Sequence, residues 1–216
     1  QSALQELMRL RRTSLNLDGV GNFNIACLNV RSLRRHHEDI KALVHYNVDT
    51  ICLQETWLDE DDNIEDLVLP DFDLSVNSRG RGKGIATYFK SKSSVLHDIS
   101  DENLQMTLIS NEKYDIINIY RSANNKTLRD RLSDIVNPNR PTIICGDFNC
   151  DISRENPDFL QTLQDLGFKK VNQKPTHDMG RSIDSILVNS YLLETVTFRQ
   201  IGVGFSDHDC LLIKIE

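Results

Sequence analysis

The chain has no apolar run approaching the roughly 18 residues that a membrane-spanning helix needs. Nor does it open on a basic segment followed by an apolar block. Neither a membrane span nor a secretory signal is read from it. Its five cysteines are an odd number with no CxxC spacing, which argues against a disulfide framework and against a cysteine zinc site. Cys27, Cys52, Cys145 and Cys210 fall inside apolar, strand-like runs, where a free thiol acts as a small hydrophobe; a reducing compartment is expected. Positive charge is also short. With 25 Lys and Arg against 32 Asp and Glu, the net charge is -7, which disfavours a protein that coats nucleic acid through bulk charge. Local basic patches remain, at Arg31, Arg34 and Arg35, at Arg79, Arg81 and Lys83, and at Arg121, Lys126 and Arg129. There is no internal repeat and no low-complexity linker. The chain begins at Gln1 rather than Met, as expected of a fragment cut from something longer.

What is present suits one large domain. The 216 residues are enough for a substantial core, and 39% apolar with 26% charged residues is ordinary globular content. Residues 2–12 read as a short amphipathic helix on Leu4, Leu7, Met8 and Leu10, and 16–22 as a connector, so that 1–22 stand before a main domain at 23–216. From Phe23 onward, strands and helices alternate. Strands are expected at 23–29, 50–54, 84–90, 95–99, 104–110, 114–120, 142–145, 183–188, 195–199 and 210–215. Ser32 is placed to cap a helix whose apolar face is Leu33, Ile40, Leu43 and Val44. Thr127 opens a second helix on Leu128, Leu132 and Ile135, and 157–166 a third, stopped by Gly167. The acidic run 59–62 reads as a solvated loop, and His36, His37, His45 and His97 as surface residues. So many strands with helices between them define an α/β layered domain, two sheets face to face with helices outside.

The chemistry lies where strands end. Asn29 closes the first strand, Gln54 and Glu55 the second with Trp57 just beyond, and Tyr120 a later one. The apolar run Ile143-Ile144 leads into Gly146-Asp147-Phe148-Asn149. Asp184 stands between Ile183 and Ile186, and Asp207-His208 precede the last strand. If these ends share one edge, they form a cleft of carboxylates, amides, a phenol and an imidazole. Clustered carboxylates repel, and a hard divalent cation relieves that; Mg²⁺ commonly takes one or two protein carboxylates and keeps water and phosphate for the rest, which fits Glu55 plus one partner. Each residue also has a plainer reading. Asn29 can serve as a helix cap, Asp147 and Asn149 as an Asx turn, Tyr120 as a strand-end anchor, and His208 as a surface histidine. Asp184 would otherwise be a half-buried acid in need of a partner. His177, in the Pro175-Thr176-His177 loop, is left open.

The ordered series Leu28-Asn29-Val30-Arg31-Ser32-Leu33, Gln54-Glu55-Thr56-Trp57, Gly84-Ile85-Ala86, Ile119-Tyr120-Arg121, Gly146-Asp147-Phe148-Asn149, Ser182-Ile183-Asp184 and Ser206-Asp207-His208 resembles the endonuclease/exonuclease/phosphatase superfamily over residues 23–216. Within it, the series looks most like the apurinic-endonuclease-like domains of non-LTR retrotransposons. The resemblance implies a four-layer, DNase I-like α/β sandwich that nicks DNA with Mg²⁺, or Mn²⁺ in its place, leaving a 3′-hydroxyl and a 5′-phosphate. It makes Glu55 the main metal ligand, with Asn29 beside it and Asp207 as a second acid near the metal. Asp147 would orient or deprotonate water, Asn149 and Tyr120 would contact phosphate, and His208, held by Asp184, would stabilise the developing charge. Arg31, Arg81, Lys83, Arg121, Asn124, Thr176 and Ser182 are the expected DNA contacts. Implied partners are double-stranded DNA and other domains of a polyprotein, a reverse transcriptase among them, with no membrane. The domain would be monomeric and act in the nucleus. The sequence departs from apurinic endonucleases at one place. Where they carry an Asp two residues after the first Asn, this chain has Arg31, so neither a carboxylate ligand there nor abasic-site activity is carried over. Same-fold phosphatases acting on inositol phosphates usually show Trp-Cys-Asp-Arg around the late aspartate; Arg181-Ser182-Ile183-Asp184 disfavours them. Same-fold hydrolases of RNA or a phospholipid headgroup and a silent DNA-binding module are the remaining rivals.

Overall fold

The computed structural model describes residues 22–122, 127–155 and 157–216. The helix expected at 2–12, its connector through residue 21, Asn124 and Lys126 lie outside the described residues.

Among the described residues, twelve strands form two sheets of six. The first runs in the order β11 (Val196–Ile201), β12 (Cys210–Ile215), β1 (Phe23–Asn29), β2 (Thr50–Gln54), β4 (Ile85–Phe89), β3 (Asp73–Asn77). The second runs β5 (Ser94–Asp101), β6 (Leu104–Ser110), β7 (Asp115–Arg121), β8 (Thr142–Asp147), β10 (Asp184–Val188), β9 (Lys169–Lys170). Each sheet is antiparallel apart from one central parallel pair, β1 with β2 and β7 with β8. Parallel neighbours need a crossover, and helices supply it: α1 (Leu33–Lys41) in the first sheet and α2 (Leu128–Ile135) in the second. A third helix, α3 (Pro157–Asp165), precedes β9.

Strand alternation sorts the core into three layers. Ile25 and Cys27 of β1, Ile143 and Cys145 of β8, Ile186 and Val188 of β10, and Leu211 and Ile213 of β12 pack between the sheets. Their alternates Ala26 and Leu28 turn outward under Leu33 and Ile40 of α1, and Ile144 and Leu187 turn under Leu128, Leu132 and Leu163. The result is helix, sheet, sheet, helix, the four-layer sandwich expected. One polar latch crosses the middle layer: Gln54 Nε2 donates to Asn118 Oδ1 at 2.7 Å, and Asn118 Nδ2 donates to the Leu53 and Ala86 carbonyls and to Thr87 Oγ1. Gln54 thus joins the sheets rather than entering the cleft.

Two strands carry no readable pattern in the sequence. Asp73–Asn77 is an edge strand whose Leu74 and Val76 are partly buried against the outer core, too short an alternation to read, and Lys169–Lys170 is a two-residue edge. His36 and His37 correct the surface reading. They are buried, His36 stacked on Phe205 with ring centres 4.6 Å apart and His37 Nε2 3.0 Å from the Leu67 carbonyl. The reason is helical geometry: 33, 36, 37 and 40 lie on one stripe, so both imidazoles share the face of Leu33 and Ile40. His45 and His97 are exposed, as expected.

Gly146 lies within β8 one residue before its terminal aspartate, at φ +155°. A side chain there would drive its Cβ into the carbonyl of Ile119 on the neighbouring strand. Gly146→Ala should therefore destabilise the fold by about 3 kcal/mol, since backbone cannot yield as a side chain does; urea unfolding of the variant measures it.

Candidate active site

Strand register builds the site. β1 and β2 end level, with Asn29 opposite Gln54, so Glu55 follows directly beside Asn29's strand. β7 and β8 place Tyr120 beside Asp147, and β8 and β10 place Asp184 directly opposite Asp147. Two carboxylates face each other across one pair of strands, a destabilising arrangement unless charge is relieved. His208, in the turn before β12, relieves it. Its Nδ1 lies 2.8 Å from Asp184 Oδ2 and its Nε2 3.9 Å from Asp147 Oδ2. All three side chains are buried.

Asp147 is held from the other sheet as well. Asn29 Nδ2 donates to its Oδ2 at 2.8 Å, and the Asn149 backbone N–H donates to its Oδ1 at 2.7 Å. The Asx turn and the site are one structure. Asn149, at φ +53°, turns its amide back to donate to the Arg121 carbonyl at 2.7 Å. Ser206 Oγ donates to the Asn29 carbonyl and accepts from the His208 N–H, which ties the His208 turn to β1.

Burial, and then the charge of Asp184, push the Asp147 carboxyl up to about 7; His208 and the donors Asn149 and Asn29 pull the other way. For His208, burial disfavours the cation, but the hydrogen bond and charge of Asp184, with Asp147 and Asp207, outweigh it and raise the imidazole to about 9. Between those values the pair is a carboxylate facing an imidazolium. Burial, with the charges of Glu55 and Asp147, holds the Tyr120 phenol far above its ordinary range, so it remains a neutral donor. It donates to the Gly82 carbonyl at 2.9 Å and lies 3.4 Å from Glu55 Oε1.

Asp147, Asp184 and His208 therefore meet, with Asn29 and Asn149 against them, and Tyr120 joins Glu55. Asp207 also faces His208, its Oδ1 3.7 Å from Nε2, and its Oδ2 pairs with Arg31 Nη1 at 2.7 Å and with His177 Nε2 at 3.3 Å. Among the described residues, the groups whose ligand atoms share metal-binding reach are Asp147, Asp184 and His208, and His177, Asp207 and His208; Glu55 belongs to neither. It is fit for a hard cation for another reason. Its carboxylate receives only the phenol and, at 3.3 Å, the Trp57 Nε1, and no cation pairs with it among the described residues. Asp184 Oδ1 and Asp207 Oδ1, both buried atoms, also have no hydrogen-bond partner among the described residues. Oxygen donors with unmet capacity suit Mg²⁺ or Mn²⁺.

Three of the expected DNA contacts are instead used inside the protein. Arg121 is buried at the end of β7, donating to the Phe148 carbonyl and Cys150 Sγ beneath the Phe159 ring. The strand runs one residue further than expected, and the register draws its guanidinium in. Thr176 Oγ1 accepts from the Asp184 N–H, and Ser182 Oγ accepts from the buried Lys170 ammonium. Arg31 and Arg81 are exposed; Lys83 donates to the Glu102 carbonyl at 3.1 Å. Two residues were passed over or left open: Asn172, whose amide donates to the Asp184 carbonyl and accepts from the Ile186 N–H, and His177, set edge-on to His208 with ring centres 4.9 Å apart. Only Pro175-Thr176-His177 hinted at the second.

Two face-to-face mixed sheets flanked by helices make a DNase I-like fold. The chain belongs to the Endonuclease/Exonuclease/phosphatase family, whose model matches residues 21–208. No curated protein sequence matches it significantly. Among solved structures, the AP endonuclease LMAP of Leishmania major is similar at TM-score 0.74 and 18% identity, covering 95% of this chain and 91% of that one. The endonuclease domain of TRAS1, a telomere-specific non-LTR retrotransposon, is similar at TM-score 0.65 and 16% identity, covering 90% and 98%. The 3′ phosphatase NExo from Neisseria, bound to product DNA hairpin, is similar at TM-score 0.68 and 16% identity, covering 90% and 99%. At such identities the likeness is one of fold, and family membership supports nuclease or phosphodiesterase activity.

Proposed function

We propose that the chain is a divalent-metal-dependent DNA endonuclease that nicks one strand of a duplex, leaving a 3′-hydroxyl and a 5′-phosphate. The observation that carries this reading is His208 bridging two buried carboxylates that face each other across β8 and β10. Asp147, oriented by Asn29 and Asn149, accepts the proton of the attacking water. Asp184 keeps the Nδ1 proton of His208, so Nε2 carries the donor that faces the phosphate. As an imidazolium it opposes the negative charge that grows on the phosphate oxygens, the kind of preorganised stabilisation that dominates such reactions. Tyr120 is a neutral donor that sets Glu55. Glu55 and Asn29 would hold Mg²⁺, or Mn²⁺ in its place, which when bound neutralises charge on the phosphodiester.

On the same reading the domain is the target-site nicking module of a retrotransposon polyprotein, monomeric, in the nucleus, beside a reverse transcriptase that would extend the 3′-hydroxyl. The motif series through residues 28–33 and 54–58 supports that context, as does the shared fold with the TRAS1 domain.

Supercoiled plasmid with Mg²⁺ should be converted to the open circle, EDTA should stop this, and a polymerase should extend from the nicks without prior end repair. Plasmid left intact beside turnover of a 3′-phosphorylated duplex, an RNA or a soluble inositol phosphate would replace this reading with a same-fold phosphatase or phosphodiesterase. Salt-sensitive DNA binding without cleavage would make it a silent binding module.

A further inference from the structure

Three turns beside Glu55 are laced together by backbone bonds. The Ser32 and Leu33 N–H groups donate to the Glu55 and Thr56 carbonyls, Thr56 and Trp57 donate to Gly84 and Lys83, and Gly80 donates to Leu58. Gly84 permits the close approach, since a Cβ there would lie 2.6 Å from Thr56 Oγ1. Trp57, the sole tryptophan, stands in the middle at φ +58°. Its Nε1 donates to Glu55 Oε2 at 3.3 Å. Against its ring lie two guanidiniums from the other two turns, with Arg31 Cζ 5.9 Å and Arg81 Cζ 5.6 Å from the ring centre. Both arginines are exposed. Arg81 has no carboxylate within 4 Å among the described residues, and Arg31 is anchored from behind by Asp207.

An exposed arginine is normally a mobile side chain that loses rotamer entropy on binding. A guanidinium resting against an aromatic ring is held in place while its N–H edge stays free for a phosphate. Two cations sharing one ring meet phosphates that are near neighbours on a strand. We propose that Trp57 positions Arg31 and Arg81 as a two-point clamp on the backbone phosphates flanking the scissile one. The clamp rests on the reading of this edge as a nucleic-acid site. It assigns Trp57 a positioning role, and it gives Arg31, standing where related endonucleases carry an acid, a task in substrate binding.

The test is binding of a short fluorescent duplex in EDTA, read by anisotropy across a salt series, for the wild type, Arg81→Ala, Trp57→Phe, Trp57→Leu and the Trp57→Leu/Arg81→Ala pair. Arg81→Ala should reduce the slope of log K against log salt by about 0.9, one phosphate contact. Trp57→Leu should weaken binding about tenfold with both arginines present and by much less once Arg81 is gone, whereas Trp57→Phe should keep most of the affinity. Should Trp57→Leu not fold, the emission of Trp57 in the wild type, Arg31→Ala and Arg81→Ala decides, since a clamped indole shifts when either cation is removed. Additive losses, an unchanged slope for Arg81→Ala, or indole emission indifferent to both arginines would overturn the clamp. Plasmid nicking run in parallel separates the two readings. Metal-free binding that follows the expected pattern without nicking would sink the nuclease and leave the clamp; nicking with KM unmoved by Trp57→Leu would do the reverse.

Discussion

Asp147→Asn should abolish metal-dependent plasmid nicking while leaving a folded domain. The carboxylate lies at the bottom of the cluster with every neighbour aimed at it: the Asn29 amide at 2.8 Å, the Asn149 N–H at 2.7 Å and His208 at 3.9 Å. An amide of the same shape still accepts one of those bonds, but it takes no proton from water. Loss of the base and of the anion facing His208 together should cost at least about a thousandfold in rate. His208→Ala removes one well-placed donor, and about 3 kcal/mol, or a hundredfold or more, is expected from that change alone. The stability consequence has a definite sign. A carboxyl raised to about 7 in the fold binds protons more tightly than the unfolded chain does, so its ionisation opposes folding as pH rises through about 4 to 7. Asp147→Asn removes that opposition. Its stability relative to the wild type should therefore improve from pH 5 to pH 8, measured by urea midpoints across the range. A nicking variant, or one whose relative midpoint falls over that interval, would remove Asp147 from its assigned role.

Much of this was legible in the sequence because each element carried a local signal. Ile25 to Asn29 and Ile143 to Asp147 are short apolar runs that end in a polar residue, and their shortness and flanking turn residues favour a buried strand delivering its last side chain to an edge. Ser32 is a cap, and its Oγ accepts from the Arg35 N–H at 3.4 Å. What was not legible depends on register between distant strands. Nothing near Asp184 says that it stands opposite Asp147 rather than one residue off, and a slip of one would turn it to the other face. Arg121 looks like a phosphate contact until the strand is seen to carry it one residue further, under Phe159. His36 and His37 read as surface histidines by polarity, but helical spacing sets them on the buried stripe of Leu33 and Ile40. The order of motifs in the chain named the site residues, but the division of labour among them, Asp207 with Arg31 and Asp184 with His208, is a property of the assembled edge.

Asp184→Asn tests that division. Asp184 holds His208 through the 2.8 Å bond to Nδ1; against the opposing effect of burial, its hydrogen bond and charge are the leading influences raising His208 to about 9. With the wild type, nicking should follow a bell, rising as Asp147 ionises near 7 and falling as His208 loses its proton near 9. An asparagine at 184 leaves burial to dominate, so the alkaline limb should move down by a unit or more, the optimum should narrow, and the peak rate should drop by about a hundredfold. Linkage gives a second reading. A histidine raised from 6.5 to about 9 on folding contributes about 3 kcal/mol; this is fully present below pH 6.5 and is lost as pH climbs through 9. The stability gap between wild type and Asp184→Asn should therefore be widest in mild acid and close toward pH 9. A variant that keeps the wild-type alkaline limb, whatever its rate, would mean that some other group sets the charge on His208.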